Sequence, residues 1–326
     1  MPIIQSTFKP AWWLHGAHAQ TIWSSLLRPR LRLDIEWQRV ELSDGDFIDL
    51  AWAGPKTGKA VLLLHGLEGS LRSSYASGLM RALKQRGYRT CLMHFRGCST
   101  QPNRLPQWYH SGQSEDPQRI LEVLRDQMGI EVYAAVGFSL GGNVLLKWLG
   151  EQGAAMPLQR AAVMSVPFHL ADAARRMGEG FSRLYQWYLI SGMQKKYKQK
   201  FASVPAPLDV DIDKLDTFWQ FDDQVTAPLH GFNGVEDYYA RASSHQFISK
   251  IRVPTLILHA RDDPFMYAHT PPLSDELPEN VWLELTEHGG HVGFISGVIP
   301  GLANYWGEQR LVEWIDNNQW TGSGSP

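Results

Sequence analysis

Val132-Tyr133-Ala134-Ala135-Val136-Gly137-Phe138-Ser139-Leu140-Gly141-Gly142-Asn143 decides the reading of this chain. An apolar run, Val132 to Val136, enters a Gly-x-Ser-x-Gly pentapeptide, and a helix-like stretch follows from Asn143 to Gly150. Such a pentapeptide occurs often by chance. Between a buried strand and a helix it acquires a specific meaning. The serine then sits on a sharp strand-to-helix turn, in a strained backbone conformation, with its hydroxyl exposed at the end of the sheet. Glycines two positions before and after Ser139 let the chain bend that tightly without a Cβ in the way. The bland alternative, a serine in an incidental glycine-rich turn, is disfavoured by the flanking strand and helix.

Outward from this turn the same alternation repeats. Short apolar runs lie at Ala60 to Leu64, Thr90 to Phe95, Arg160 to Val166, Thr255 to His259 and Val281 to Leu285. Between them the spacing predicts helices over about 72–86, 115–128, 140–151 and 307–317. Buried strands alternating with helices indicate an α/β fold, a mostly parallel sheet flanked by helices. Before this region, residues 36–53 read as a hairpin turning at Asp44-Gly45, which adds antiparallel strands at one edge. From Pro167 to Pro254 the rhythm breaks for far longer than an ordinary connection. Leu170, Ala173, Ala174, Met177, Phe181, Leu184, Tyr185 and Tyr188 recur there at helical spacing. The expected organisation is therefore a core of residues 1–166 and 254–326 with a helical cap insertion at 167–253, placed over the carboxyl ends of the strands where ligands bind.

A serine hydroxyl is a weak nucleophile at neutral pH and needs a base, which in turn needs an orienting partner. In a fold of this kind they follow the serine in the order acid, then histidine. Ala260-Arg261-Asp262-Asp263-Pro264-Phe265 follows one apolar run and offers the acid. Asp263, three residues after the small Ala260, is preferred. Asp262 is the runner-up, with loop backbone as its alternative partner, and both aspartates have a turn-capping alternative before Pro264. Glu287-His288-Gly289-Gly290-His291-Val292-Gly293-Phe294 follows the last run and offers the base. Its glycines favour His291 over His288. Oxyanion donors are expected from the N–H of Leu140, just after the nucleophile, and of Leu67 in His65-Gly66-Leu67-Glu68-Gly69. His110, in Tyr109-His110-Ser111-Gly112, reads as a buried structural histidine, with a second polar group near the site as its alternative. The pairs His15/His18 and His288/His291 lack the companions of a metal site, so no metal and no cofactor is expected.

Composition excludes less. The 326 residues carry a formal net charge of −2, which gives no reason to expect a nucleic-acid partner. With two cysteines, Cys91 and Cys98, no disulfide framework is expected, and a cytoplasmic location fits. No signal peptide and no integral membrane association are expected. Most of the 13 tryptophans read as core. Lys195, Lys196, Lys198 and Lys200 read as a solvated helix face; the alternative, attraction to an anionic membrane surface, is largely offset by Asp209, Asp211, Asp213 and Asp216.

These segments together resemble the YheT-like hydrolases, a bacterial α/β-hydrolase family with eukaryotic relatives acting on lipid and medium-chain esters. Besides the motifs above, the resemblance covers Trp12-Trp13-Leu14, His18-Ala19-Gln20-Thr21, His94-Phe95-Arg96-Gly97-Cys98 and Tyr109-His110-Ser111-Gly112. Ser99-Thr100 stands where the family pattern leads one to expect Ser-Gly. The resemblance implies an α/β-hydrolase fold, a charge-relay triad of Ser139, Asp263 and His291, and short- or medium-chain carboxylesterase or acylglycerol lipase activity. The expected partner is a small-molecule or lipid-like ester. The competing expectations are an acyltransferase, which passes the acyl group to an alcohol, and a silent binding protein with the same fold.

Overall fold

The computed structural model describes residues 2–29, 31–202 and 204–317. The flexible end expected at residues 321–326 lies outside the described residues. Nine strands form one sheet: β1 (Ile3–Ile4), β2 (Glu36–Glu41), β3 (Phe47–Ala53), β4 (Ala60–Leu64), β5 (Arg89–Met93), β6 (Val132–Phe138), β7 (Arg160–Met164), β8 (Thr255–Ala260) and β9 (Val281–Thr286). Their order is β1-β9-β8-β7-β6-β4-β5-β3-β2. All pairs are parallel except β5–β3 and β3–β2, so the hairpin is the antiparallel edge. Gly45 turns it with φ +88°.

The helices are α1 (Gly16–Ile22), α2 (Ser74–Gln85), α3 (Glu115–Asp126), α4 (Leu140–Gln152), α5 (Leu170–Met177), α6 (Ser182–Phe201), α7 (Phe218–Phe221), α8 (Ala227–Leu229), α9 (Val235–Ala242) and α10 (Trp306–Asp316). Because strand side chains alternate, each buried strand feeds two cores. Leu62 and Leu64 of β4 pack with Ile120 and Leu124 of α3 and Val144 and Trp148 of α4. Val61 and Leu63 pack on the other face with Leu79 and Leu83 of α2 and Leu311 and Trp314 of α10.

Helices α5 to α9 all fall between β7 and β8. They bury Ile190, Met193, Tyr197, Phe221 and Val225 among themselves, together with Trp108 from the loop before α3. The helical spacing from Leu170 to Tyr188 resolves into two helices broken between Met177 and Ser182, where Gly180 takes φ +50°. Phe181, Leu184 and Tyr188 point outward and are exposed. The interval ends in a 3-10 turn, His245–Lys250, seated on α4 so closely that a Cβ on Gly150 would lie 2.3 Å from the carbonyl oxygen of Phe247. No described helix is long and apolar enough to cross a membrane.

Candidate active site

The β6–α4 turn has the geometry its sequence requires. Ser139 takes φ 50° and ψ −121°, a left-handed conformation costly for any residue with a Cβ. Its N–H donates to the carbonyl of Met164 at 2.9 Å. The surrounding glycines are needed for space. A Cβ on Gly137 would lie 2.5 Å from the carbonyl oxygen of Gly141, and one on Gly141 would lie 2.4 Å from that of His65.

Ser139 Oγ lies 2.9 Å from His291 Nε2. His291 Nδ1 lies 2.8 Å from Asp263 Oδ2 and 3.1 Å from Oδ1. Asp263 is 3% exposed, and its Oδ1 also accepts from the N–H of Phe265 at 2.9 Å. The Phe265 ring stacks on the His291 imidazole, 3.9 Å between centroids and 11° from parallel. With Nδ1 facing a carboxylate, the imidazole proton sits on Nδ1, leaving Nε2 free to accept from the serine. The rival pair is joined elsewhere: His288 Nδ1 lies 3.2 Å from Asp262 Oδ2, and Asp262 Oδ1 accepts from the N–H of Gly290 at 2.9 Å.

In the loop after β4, the N–H of Gly66 donates to Tyr75 Oη and that of Glu68 to Tyr109 Oη, both at 2.8 Å. The N–H groups of Leu67, between them, and of Leu140, in the first turn of α4, make no protein hydrogen bond among the described residues. His65 Nε2 accepts from the N–H of Phe95 at 3.1 Å, so its Nδ1 carries the proton given to the carbonyl of Gly66 at 2.8 Å. Burial, reinforced by nearby His94, pushes the pKa of His65 down to about 3. It is a neutral brace for the loop.

A cavity of about 290 Å³ opens over Ser139 and His291, within the small-molecule range in order of magnitude. Leu170, Met177, Met193 and Phe218 are among its apolar lining. His110 lines it too, packed against His230 at 4.5 Å between ring centroids. The lysine run departs from the single solvated face expected of it. Lys195 and Lys198 are exposed, but Lys196 and Lys200, on the opposite side of α6, line the cavity, and Lys200 is only 6% exposed.

The braces on the histidine loop leave no signal of their role in the sequence. The N–H of His291 donates to Thr21 Oγ1 at 2.9 Å, across 270 residues of chain. Gln20, fully buried, receives the N–H of Ile295 at 2.7 Å and donates to its carbonyl at 3.1 Å. Ser165 Oγ accepts from the N–H of Val292 at 3.0 Å, and Ser24 Oγ donates to the Val292 carbonyl at 2.7 Å. The segment His18-Ala19-Gln20-Thr21 was visible as a motif, but no periodicity or spacing says what it packs on. Among the described residues no group of three or more His, Cys, Asp or Glu side chains is gathered as metal ligands would be.

The chain belongs to the α/β-hydrolase fold family, whose pattern matches residues 59–298. Within it the chain is a YheT-like hydrolase: it is 41% identical over 317 residues to YheT of Escherichia coli, an esterase by name, covering 94% of this chain and 92% of that one. It is 27% identical over 316 residues to phospholipase ABHD3 of Mus musculus, covering 93% of this chain and 77% of the relative. Among solved structures, the Pyrococcus furiosus esterase Pf2001 superposes with a TM-score of 0.55 at 17% identity, over 87% of this chain and 92% of that one, a likeness of fold.

Proposed function

We propose that the chain is a carboxylic ester hydrolase, acting on short- to medium-chain esters or acylglycerols through a triad of Ser139, His291 and Asp263. The observation that supports this best is the unbroken hydrogen-bonded line from Ser139 Oγ through the His291 imidazole to Asp263, at an apolar cavity. The relatives' names, an esterase and a phospholipase, favour the same bond class.

As Ser139 Oγ adds to the ester carbonyl carbon, its proton passes to His291 Nε2. The N–H groups of Leu67 and Leu140 hold the oxyanion that forms. Collapse breaks the bond to the alcohol oxygen, which leaves with the proton from His291. Water then gives a proton to His291 and adds to the acyl carbon. The second collapse returns the proton to Ser139 and releases the acid. Asp263 holds the tautomer and stabilises the imidazolium without itself taking the proton. The insertion at 167–253 acts as the cap that shapes the acyl pocket over a core of 1–166 and 254–326.

The test is hydrolysis of p-nitrophenyl esters from acetate to palmitate by wild type and Ser139→Ala. Wild-type turnover with a loss of roughly 10⁴-fold or more in the variant supports the triad. Equal activity in both removes Ser139 from the nucleophile's role. If neither turns over an ester while a fluorophosphonate still labels the wild type, the nucleophile is competent and the ester class is wrong.

A further inference from the structure

The inner face of α6 changes character along its length. Leu189, Met193, Lys196 and Lys200 follow one another at i, i+4, i+7 and i+11, a single helical stripe. All four line the cavity that holds Ser139 and His291. The first two are apolar and the last two are ammonium groups. At 1.5 Å per residue the stripe spans about 16 Å. The loop that meets its cationic half is polar, with Ser99, Thr100 and Asn103 also lining the cavity.

The two ammonium groups are incompletely used. Each has three N–H donors. Lys196 Nζ meets Glu68 Oε2 at 2.9 Å and Cys98 Sγ at 3.4 Å. Lys200 Nζ meets Asn103 Oδ1 at 2.6 Å and the carbonyl of Gln107 at 3.3 Å. Hydrogen bonds leave one donor on each, with the Trp108 and Phe201 ring centroids 5.8 and 5.9 Å from Lys200 Nζ. Lys196 has a carboxylate partner, whereas Lys200 has none within ion-pairing distance among the described residues. Asp46 offsets part of the charge from behind Asn103, whose Nδ2 donates to it at 2.7 Å. Arg96 is close enough to oppose the charge on Lys200, and burial with that repulsion lowers the pKa of Lys200 to about 8. A buried ammonium without an ion pair is costly, and an anion in the cavity would offset that cost.

We propose that the cavity is built for an amphiphilic ester, whose apolar part lies along Leu189 and Met193 and whose far end carries an anionic group, such as a phosphate, held by Lys196 and Lys200. The ester linkage rests on the function proposed above; the anion site does not.

Calorimetry on the full chain separates the two. Decyl phosphate, decanol and inorganic phosphate are titrated below micelle formation into wild type, Lys200→Gln and Lys200→Arg. Wild type is expected to bind decyl phosphate roughly ten- to a hundredfold more tightly than decanol, the range of a hydrogen bond to a charged group. That gap should close to within about threefold in Lys200→Gln and persist in Lys200→Arg. Lys200→Met, which keeps the buried stem, replaces Lys200→Gln if the latter does not fold. Equal binding of decyl phosphate and decanol by wild type overturns the proposal, as does a gap that survives loss of the charge. Inorganic phosphate binding as tightly as decyl phosphate overturns its amphiphilic part. Because no turnover is read, failure of the ester reading leaves this result intact.

Discussion

Thr21 tests whether the histidine loop is held in working position by the N-terminal helix. Its Oγ1 donates to the carbonyl of Ala17 at 2.8 Å and accepts from the N–H of His291 at 2.9 Å. Thr21→Val keeps the shape of the side chain and removes the acceptor. The part-buried His291 N–H then loses its partner, at about 1–2 kcal/mol. For a chain of this size that lowers Tm by about 2–3 °C. The kinetic effect should be larger in proportion. His291 Nε2 works across a single 2.9 Å contact to Ser139 Oγ, and a misplacement of about 1 Å in such a group costs on the order of 10²-fold. A fall in kcat of roughly 10- to 100-fold on p-nitrophenyl butyrate is therefore expected, with KM little changed and fluorophosphonate labelling of Ser139 slowed in parallel. Thr21→Ser, which restores the hydroxyl, should recover most of the rate. If Thr21→Val lowers Tm but leaves kcat and the labelling rate alone, the hydrogen bond serves stability only. If Thr21→Ser is as slow as Thr21→Val, restoring the acceptor does not restore the rate, and the hydrogen bond is not what positions His291.

Two further outcomes are expected. Asp263→Asn should lower kcat by roughly 10⁴-fold by favouring the wrong imidazole tautomer, while Asp262→Asn, which still offers Oδ1 to the N–H of Gly290, should cost under about tenfold; the reverse ranking in steady-state assays would transfer the acid role to Asp262. Burial pushes the Asp222 carboxyl up to about 6 from an ordinary 3.8, against its hydrogen bonds from Thr226 and Tyr239. The folded state thus favours its neutral form, a contribution fully present below about pH 4 and lost as pH rises through about 6; urea denaturation should show wild type losing roughly 2–3 kcal/mol relative to Asp222→Asn between pH 4 and pH 7.5, and a pH-independent difference would sink this account.

What could be read from the sequence was local. The β6–α4 turn, the hairpin at Asp44-Gly45 and the alternation of strands and helices are written in residues a few positions apart, where backbone strain and side-chain period act directly. The two-residue strand β1 carries no such signal, since its pairing is decided by the edge of β9 that it meets. The insertion shows the limit of periodicity. The spacing from Leu170 to Tyr188 identifies helix but not the break at Gly178–Phe181, and it assigns no direction, so Leu170 and Met177 are buried while Leu184 and Tyr188 are exposed. The lysine run shows the same limit: four cations in six residues look like one solvated surface until the helix turns two of them inward.

Backbone strain explains why the braces belong to the site. Among the described residues the non-glycine residues with positive φ are Glu68, Ser139, Ser165, Val292 and Phe294. All five lie in the loop after β4, the β6–α4 turn, the end of β7 or the loop that carries His291. Each costs of order 1–3 kcal/mol, so together they draw on an amount comparable with a domain's whole stability, about 5–15 kcal/mol. Such conformations persist only where neighbours over-determine them. Glu68 is held by Tyr109 and Lys196. Ser139 is anchored on Met164, and Ser165 on Leu258. Val292 is gripped from two sides by Ser165 and Ser24, and the N–H of Phe294 by the carbonyl of Gly289. A Cβ on Gly290 would lie 2.4 Å from the carbonyl oxygen of Ala17, so α1 presses on the same loop sterically as well. Residues Ala17 to Ser24 precede the stretch, 59–298, over which the fold family is recognised. Ser139, Asp263 and His291 lie within that stretch, while the restraint on the His291 backbone comes from α1, outside it; under the triad proposed above, that restraint keeps His291 preorganised against Ser139, where a fixed rather than an average geometry determines the rate.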